Sequence, residues 1–197
     1  MIAIENRKYT REEYFELLAA SEGKLEYHHG HIVATGFGNS DSSRIAVNIA
    51  RRISEKIEDT DCLVFDSSIA IELDERKRYV FTNATVVSSE PIFSDYNENV
   101  LTNPILIVEV LSKNTDKFRF YRGIPSLKEY VLISPDKPVV ETFYSEGEGL
   151  WRISSATNLD SNIHLYSLNI DIPLEQIYFK VTGLKNPDDE LFIHKPS

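Results

Sequence analysis

The sequence predicts an α/β or α+β domain in which a mixed β-sheet is covered by helices. Three observations carry this expectation. Two segments near the N-terminus repeat apolar residues at helical spacing, and about eight short β-rich runs follow them. The run "NPILIVEVLS", Asn103 to Ser112, is apolar on both faces, as a central strand of a covered sheet should be.

The first helix is expected at "YTREEYFELLAAS". Thr10 and Glu13 form a capping box, Tyr9 and Tyr14 can staple it, and Tyr14, Leu17 and Leu18 share a face. "KLEYHHGHIVATG" reads as two short strands joined at His29–Gly30. Ile45, Ile49, Ile53 and Ile57 then recur every four residues, predicting an amphipathic helix over 41–58 with Arg44, Arg51, Arg52 and Lys56 on its polar sides. "CLVF", "SIAIEL" and "RYVFTNATVV" read as strands, with "DERKR" as a hairpin turn, and "SSEPIFSDYNENVLTN" as a long surface loop. After the apolar strand come a short helix in "NTDKFRFYRG" and strands in "SLKEYVLIS", "PVVETFYS" and "LWRISS". "PLEQIYFKV" closes the domain as a helical turn. The expected domain covers 1–180, and 181–197 is a tail lying on the surface or partly disordered.

With 197 residues the chain can bury a proper core, and no stretch approaches the ~18 apolar residues of a membrane span. The start "MIAIENRKYT" lacks the pattern of a secretion signal, and the single cysteine, Cys62, allows no internal disulfide, so a cytoplasmic location is expected. Cys62 itself reads as a small buried hydrophobe. The net charge of −10 opposes loose attraction to nucleic acid or anionic membrane, although it leaves room for a local basic groove.

Glu109 is the feature that demands chemistry. If 105–111 form a strand, Glu109 points into a layer of Ile and Leu, where an unpaired charge costs several kcal/mol. It must be paired, neutralised, or used as a metal ligand or catalytic group. A buried partner or a raised pKa satisfies the residues as well as catalysis does.

Here "YTREEYFELLAASEGKLEYHHGHIVATG", "SRIAVNIARRI", "NPILIVEVLS" and "FRFYRGIPSLKEYVLIS" resemble the Uma2 family, also called DUF820, a group of endonuclease-like proteins widespread in cyanobacteria. The resemblance runs from Tyr9 to Phe179. It implies the restriction-endonuclease-like fold of the PD-(D/E)xK superfamily, a central mixed sheet flanked by helices. It also implies phosphodiester hydrolysis aided by Mg²⁺ or Mn²⁺, with DNA as partner and, by analogy, a homodimer. Glu26 in "LEYHHG" and Glu109 in "IVEVLS" match family acids, and Lys117 matches a family lysine. The departures cluster in the cleft. Asn83 and Ala84 stand for the Pro and Asp of the PD motif, His29-Gly30-His31 for Asp-Gly-Glu, and Ser42 and Ser68 for a His and an Asp.

Two readings follow from that resemblance. In the first, the chain is a degenerate nuclease fold that binds without cutting; Glu109 is then structural, bonded to Lys117 or Tyr121. In the second it is an active metal-dependent endonuclease with a rewired site: Glu109, Glu26 and Asn83 hold the metal, and Lys117 orients water or phosphate. His29 and His31 could then recruit a softer ion such as Mn²⁺ or Zn²⁺, or be plain solvated turn residues. Convergence of Glu26 and Glu109 on Lys117 would favour the active reading, and Ala84→Asp is expected to restore metal binding if the site is inert. Elsewhere, the helix cations are expected to be solvated, the aromatics Phe118, Phe120 and Tyr121 to pack in the core beside Arg119 and Arg122, and Trp151 to be half-buried.

Overall fold

The computed structural model describes residues 7–36, 38–73, 77–111 and 117–187. Its first helix, α1 (Arg11–Ala20), begins at the expected capping box. Thr10 Oγ1 accepts from Glu13 N at 3.2 Å, and the Glu13 carboxylate accepts from Thr10 N at 2.8 Å. β1 (Leu25–His28) and β2 (His31–Ala34) form a hairpin, and α2 (Ser40–Lys56) follows. The chain continues as β3 (Leu63–Asp66), β4 (Ala70–Leu73), β5 (Arg78–Phe81), β6 (Ala84–Val87), β7 (Phe93–Ser94), β8 (Asn97–Leu101) and β9 (Leu106–Val110). A single turn, α3 (Phe118–Tyr121), leads to β10 (Glu129–Ile133), β11 (Val139–Gly147) and β12 (Leu150–Thr157). The described part ends with β13 (Asn162–Leu165), β14 (Ile170–Pro173) and α4 (Leu174–Ile177).

These strands make two six-stranded mixed sheets, ordered β2-β1-β5-β4-β8-β7 and β12-β11-β10-β9-β6-β3, plus the β13-β14 hairpin. β9 is interior to the second sheet, parallel to β10 and antiparallel to β6. One of its faces is covered by α2, whose Ile45, Ile49 and Ile53 are fully buried against Leu106, Val108 and Val110. The other face is covered largely by the first sheet. Ile71, Leu73 and Val80 from β4 and β5 meet Ile107, Tyr121 and Tyr130 there. The expected helix cover therefore holds on one face, and a second sheet supplies most of the other.

Three local expectations change. The run "RYVFTNATVV" is two strands in two sheets. Thr82 and Thr85 bond to each other through their hydroxyls at 2.7 Å, and Asn83 Oδ1 accepts from Val110 N at 2.8 Å. Polar side chains that satisfy backbone and one another let the chain cross from sheet to sheet at this point. The expected surface loop before β9 contains the β7-β8 hairpin, whose β8 pairs with β4 in parallel. The β13-β14 hairpin lay in a stretch for which no element was expected. Cys62 is half-buried, packed at the edge of the α2 core.

Glu129, on β10, anchors that last hairpin to the sheet. Its buried carboxylate accepts from Tyr166 N (3.2 Å), Ser167 N (2.9 Å) and Ser167 Oγ (2.7 Å). Burial raises its pKa, and the Ser167 and Tyr166 bonds offset this only in part. Glu129→Ala would strand these donors, and urea unfolding is expected to show a loss of about 1–3 kcal/mol. Of the predicted tail, Val181 and Leu184 pack on the core and Lys185 N donates to Asp136 O at 2.8 Å. Residues 188–197 lie outside the described residues, as do 74–76 of the "DERKR" turn and 112–116 before α3.

Candidate active site

Alternation along β9 puts Ile107 and Glu109 on the face turned toward the first sheet, with Leu106, Val108 and Val110 facing α2. Glu109 is therefore held between the two sheets, and it is only 5% exposed. Its Oε1 accepts from the Tyr121 hydroxyl at 2.6 Å and from Lys117 Nζ at 3.3 Å. Burial raises its pKa, an effect that Lys117 and Tyr121 only partly offset. The Tyr121 hydroxyl, fully buried against this carboxyl, is itself pushed well up.

Glu26 arrives from the first sheet, on β1. It is 6% exposed, and its Oε1 accepts from Lys117 Nζ at 3.3 Å and from Phe81 N at 3.3 Å. Its Oε2 lies 3.1 Å from His28 Nε2. Burial acts to raise this pKa, but His28, Lys117 and the Phe81 N–H outweigh it and hold the carboxylate below its ordinary value. Lys117 shows the reverse balance: burial lowers its pKa, and Glu109 with Glu26 more than compensates, so the ammonium stays charged. One ammonium thus binds two carboxylates from two different sheets.

Glu26, Glu109 and Lys117 are therefore brought together, as the resemblance implied. Asn83 is close by: extending the β6-β9 register one residue past Ala84↔Val108 sets it opposite Glu109. Its carbonyl oxygen already accepts from Val110 N. Ala84 is not on this side. It pairs with Val108, is fully buried, and belongs to the core beneath α2. The position that faces Glu109 from β6 is Asn83, and this corrects the expectation placed on Ala84. His29 and His31 do not share a strand. His29 sits in the turn at φ +52, and His31 pairs with His28. Ser68 caps Asp66 through its backbone and hydroxyl, and Ser42 N donates to Asn39 at the start of α2.

Beside Glu26 and Lys117 lies a recess of about 180 Å³, lined also by His28, Leu73, Arg78, Val80, Phe120 and Tyr121. His28 and Arg78 were not singled out from the sequence. The available signal was the spacing of Glu26 and His28, two apart on one strand and hence on one face. The Arg78 guanidinium lies 3.9 Å from the centre of the Phe120 ring, and Arg119 lies 4.6 Å from it. Phe118 and Tyr121 are core residues, as expected, and Trp151 packs edge-on to Phe118. On α2, Arg51 and Arg52 pair with Glu55, the solvated arrangement expected of that helix.

Mg²⁺ takes six oxygens in near-octahedral positions, several of them commonly water, with one or two carboxylates from the protein. Among the described residues, no three His, Cys, Asp or Glu side chains are placed to hold a metal ion. Two carboxylates are present, both bonded to Lys117, and the nearby amide oxygen serves a backbone N–H. A dication held by these two carboxylates would lie beside the Lys117 ammonium or displace it.

Two acids and a lysine thus meet between two mixed sheets, with a helix packed behind one of them. The Uma2 family model, described as "Putative restriction endonuclease", matches residues 11–174, and the chain belongs to that family. Two relatives from Synechocystis sp. strain PCC 6803 are similar in sequence. The "Uncharacterized protein sll1609" is 28% identical over 176 residues, covering 86% of this chain and 99% of that one. The "Uncharacterized protein slr1290" is 27% identical over 177 residues, covering 87% and 92%. In fold, the chain is similar to the crystal structure of "a putative nuclease belonging to DUF820" from Anabaena variabilis ATCC 29413. The TM-score is 0.66 at 16% identity, over 86% of this chain and 97% of that one. No helix among the described residues is long and apolar enough to cross a membrane.

Proposed function

We propose that this chain is a nuclease-fold protein without metal-dependent hydrolysis, whose recess serves as a binding module with nucleic acid as its partner class. The observation that carries the reading is Asn83, an uncharged amide at the position opposite Glu109 whose oxygen already accepts from Val110 N. The Lys117 ammonium, 3.3 Å from one oxygen of each acid, already balances the charge of that pair. A divalent ion at these acids would compete with both ion pairs and take its remaining ligands from water or phosphate. The amide of Asn83 carries no charge to offer.

A second reading, an active divalent-metal-dependent endonuclease, is favoured by one observation. Glu26 and Glu109 do converge on a lysine, the arrangement that positions water beside a metal-bound phosphate. The two readings separate on Asn83→Asp. Aspartate keeps an acceptor for Val110 N and adds a carboxylate opposite Glu109. Millimolar Mg²⁺ is expected to leave the melting temperature of the parent chain unchanged and to raise that of Asn83→Asp. A Mg²⁺-dependent rise in the parent chain, abolished by Glu109→Gln, would overturn the proposal.

A further inference from the structure

Three of the five histidines in the chain, His28, His29 and His31, fall within four residues. The β1-β2 register pairs His28 directly with His31 across a two-residue turn, in which His29 (φ +52) and Gly30 (φ +92) both have positive φ. Such a turn favours Asn, Asp or Gly at its first position, and a histidine there is unusual. Directly opposed residues share a face, with Cβ atoms about 4.5–5.5 Å apart, so both imidazoles can reach one ion. We propose that His28 and His31 form an open, two-imidazole site for a borderline-soft divalent ion, Zn²⁺ or Ni²⁺, completed by water.

Two further features prepare the site. His28 Nε2 lies 3.1 Å from Glu26 Oε2. A carboxylate at that nitrogen holds the ring and its tautomer and leaves Nδ1 as the ligand atom. The turn itself is held from both sides: Tyr9 N donates to Gly30 O at 2.8 Å, and His29 N donates to Lys77 O at 2.8 Å. His31 is exposed and open to water, while His28 is half-buried at the mouth of the recess. The other cross-strand neighbour of His28 is Arg78, whose guanidinium is laid over Phe120. Imidazole suits Zn²⁺ and Ni²⁺ far better than Mg²⁺, so this site selects a different ion from the acid pair, although Glu26 takes part in both. It goes beyond the proposed function and stands whether or not the chain cuts nucleic acid.

The test is calorimetric titration of the untagged full chain with zinc chloride, nickel chloride and magnesium chloride, each alone. Zn²⁺ and Ni²⁺ are expected to bind at one ion per chain, with no heat from Mg²⁺. His31→Asn, a surface change, is expected to weaken Zn²⁺ binding by about tenfold or more, and Glu26→Gln by about tenfold through the loss of ring orientation. His29→Asn, which suits the turn better, should leave binding intact. The absence of Zn²⁺ binding, or binding unaffected in both His31→Asn and His28→Asn, would overturn the site.

Discussion

Lys117→Met is expected to destabilise the fold by about 3–5 kcal/mol at neutral pH, the usual cost of removing one partner from a buried ion pair. Among the described residues, the substitution leaves Glu109 between the sheets with the Tyr121 hydroxyl, and Glu26 with His28 and a backbone N–H. The pH dependence gives the cause. Burial raises the pKa of Glu109 in the folded state. A carboxyl raised in this way contributes stability below its unfolded pKa and loses it as pH climbs through the folded value. Without the ammonium that value moves higher still, so the loss extends toward neutrality. Glu26 is held low, so its contribution is present above its unfolded pKa and fades as pH falls. Removing Lys117 shrinks that contribution too. Both effects make the deficit of the variant smallest in acid and largest near pH 7. Urea unfolding at acidic and neutral pH measures it, and the double variant Lys117→Met/Glu109→Gln should recover a large part. A deficit that does not change with pH would contradict this view of the cluster.

Ala84→Asp is expected to be equally severe, for a different reason. Ala84 is fully buried beneath α2 in an apolar cluster with Ile45, Val86 and Val108, which offers an added carboxylate no charge partner. The new group would be forced neutral or would force the core open, at a cost of about 4 kcal/mol or more. Circular dichroism melting should show a strongly lowered transition, and Mg²⁺ should not restore it. Asn83→Asp, one residue away but turned toward Glu109, should melt close to the parent chain. A folded Ala84→Asp that bound Mg²⁺ better than Asn83→Asp would reverse the assignment of faces.

This contrast also marks how far the sequence could be read. The pairing of Glu109 with Lys117 and Tyr121 followed from one acid in an apolar strand and from the positions the family shares. α2 followed from isoleucines every four residues, and α1 from its capping box. What failed was register at a sheet crossing. Thr82 and Asn83 look like interior residues of one strand, and only the Thr82–Thr85 and Asn83–Val110 bonds show that the chain changes sheets there. A one-residue slip exchanges the faces of a strand, so Ala84 took the role that the geometry gives to Asn83. The turn at His29–Gly30 was legible as the join of two short strands, but the direct pairing of His31 with His28 was not. The β7-β8 and β13-β14 hairpins are built from strands of two to five residues, too short to set a period, and β8 rests on pairing with a strand far back in the chain.

The most direct measurement is conversion of supercoiled plasmid to the nicked form by the purified chain in millimolar Mg²⁺, with Glu109→Gln alongside. With Lys117 Nζ 3.3 Å from both acids, no conversion above the level of the variant is expected. Nicking by the parent chain that vanishes in Glu109→Gln would show that a metal displaces the ammonium and that this recess cuts.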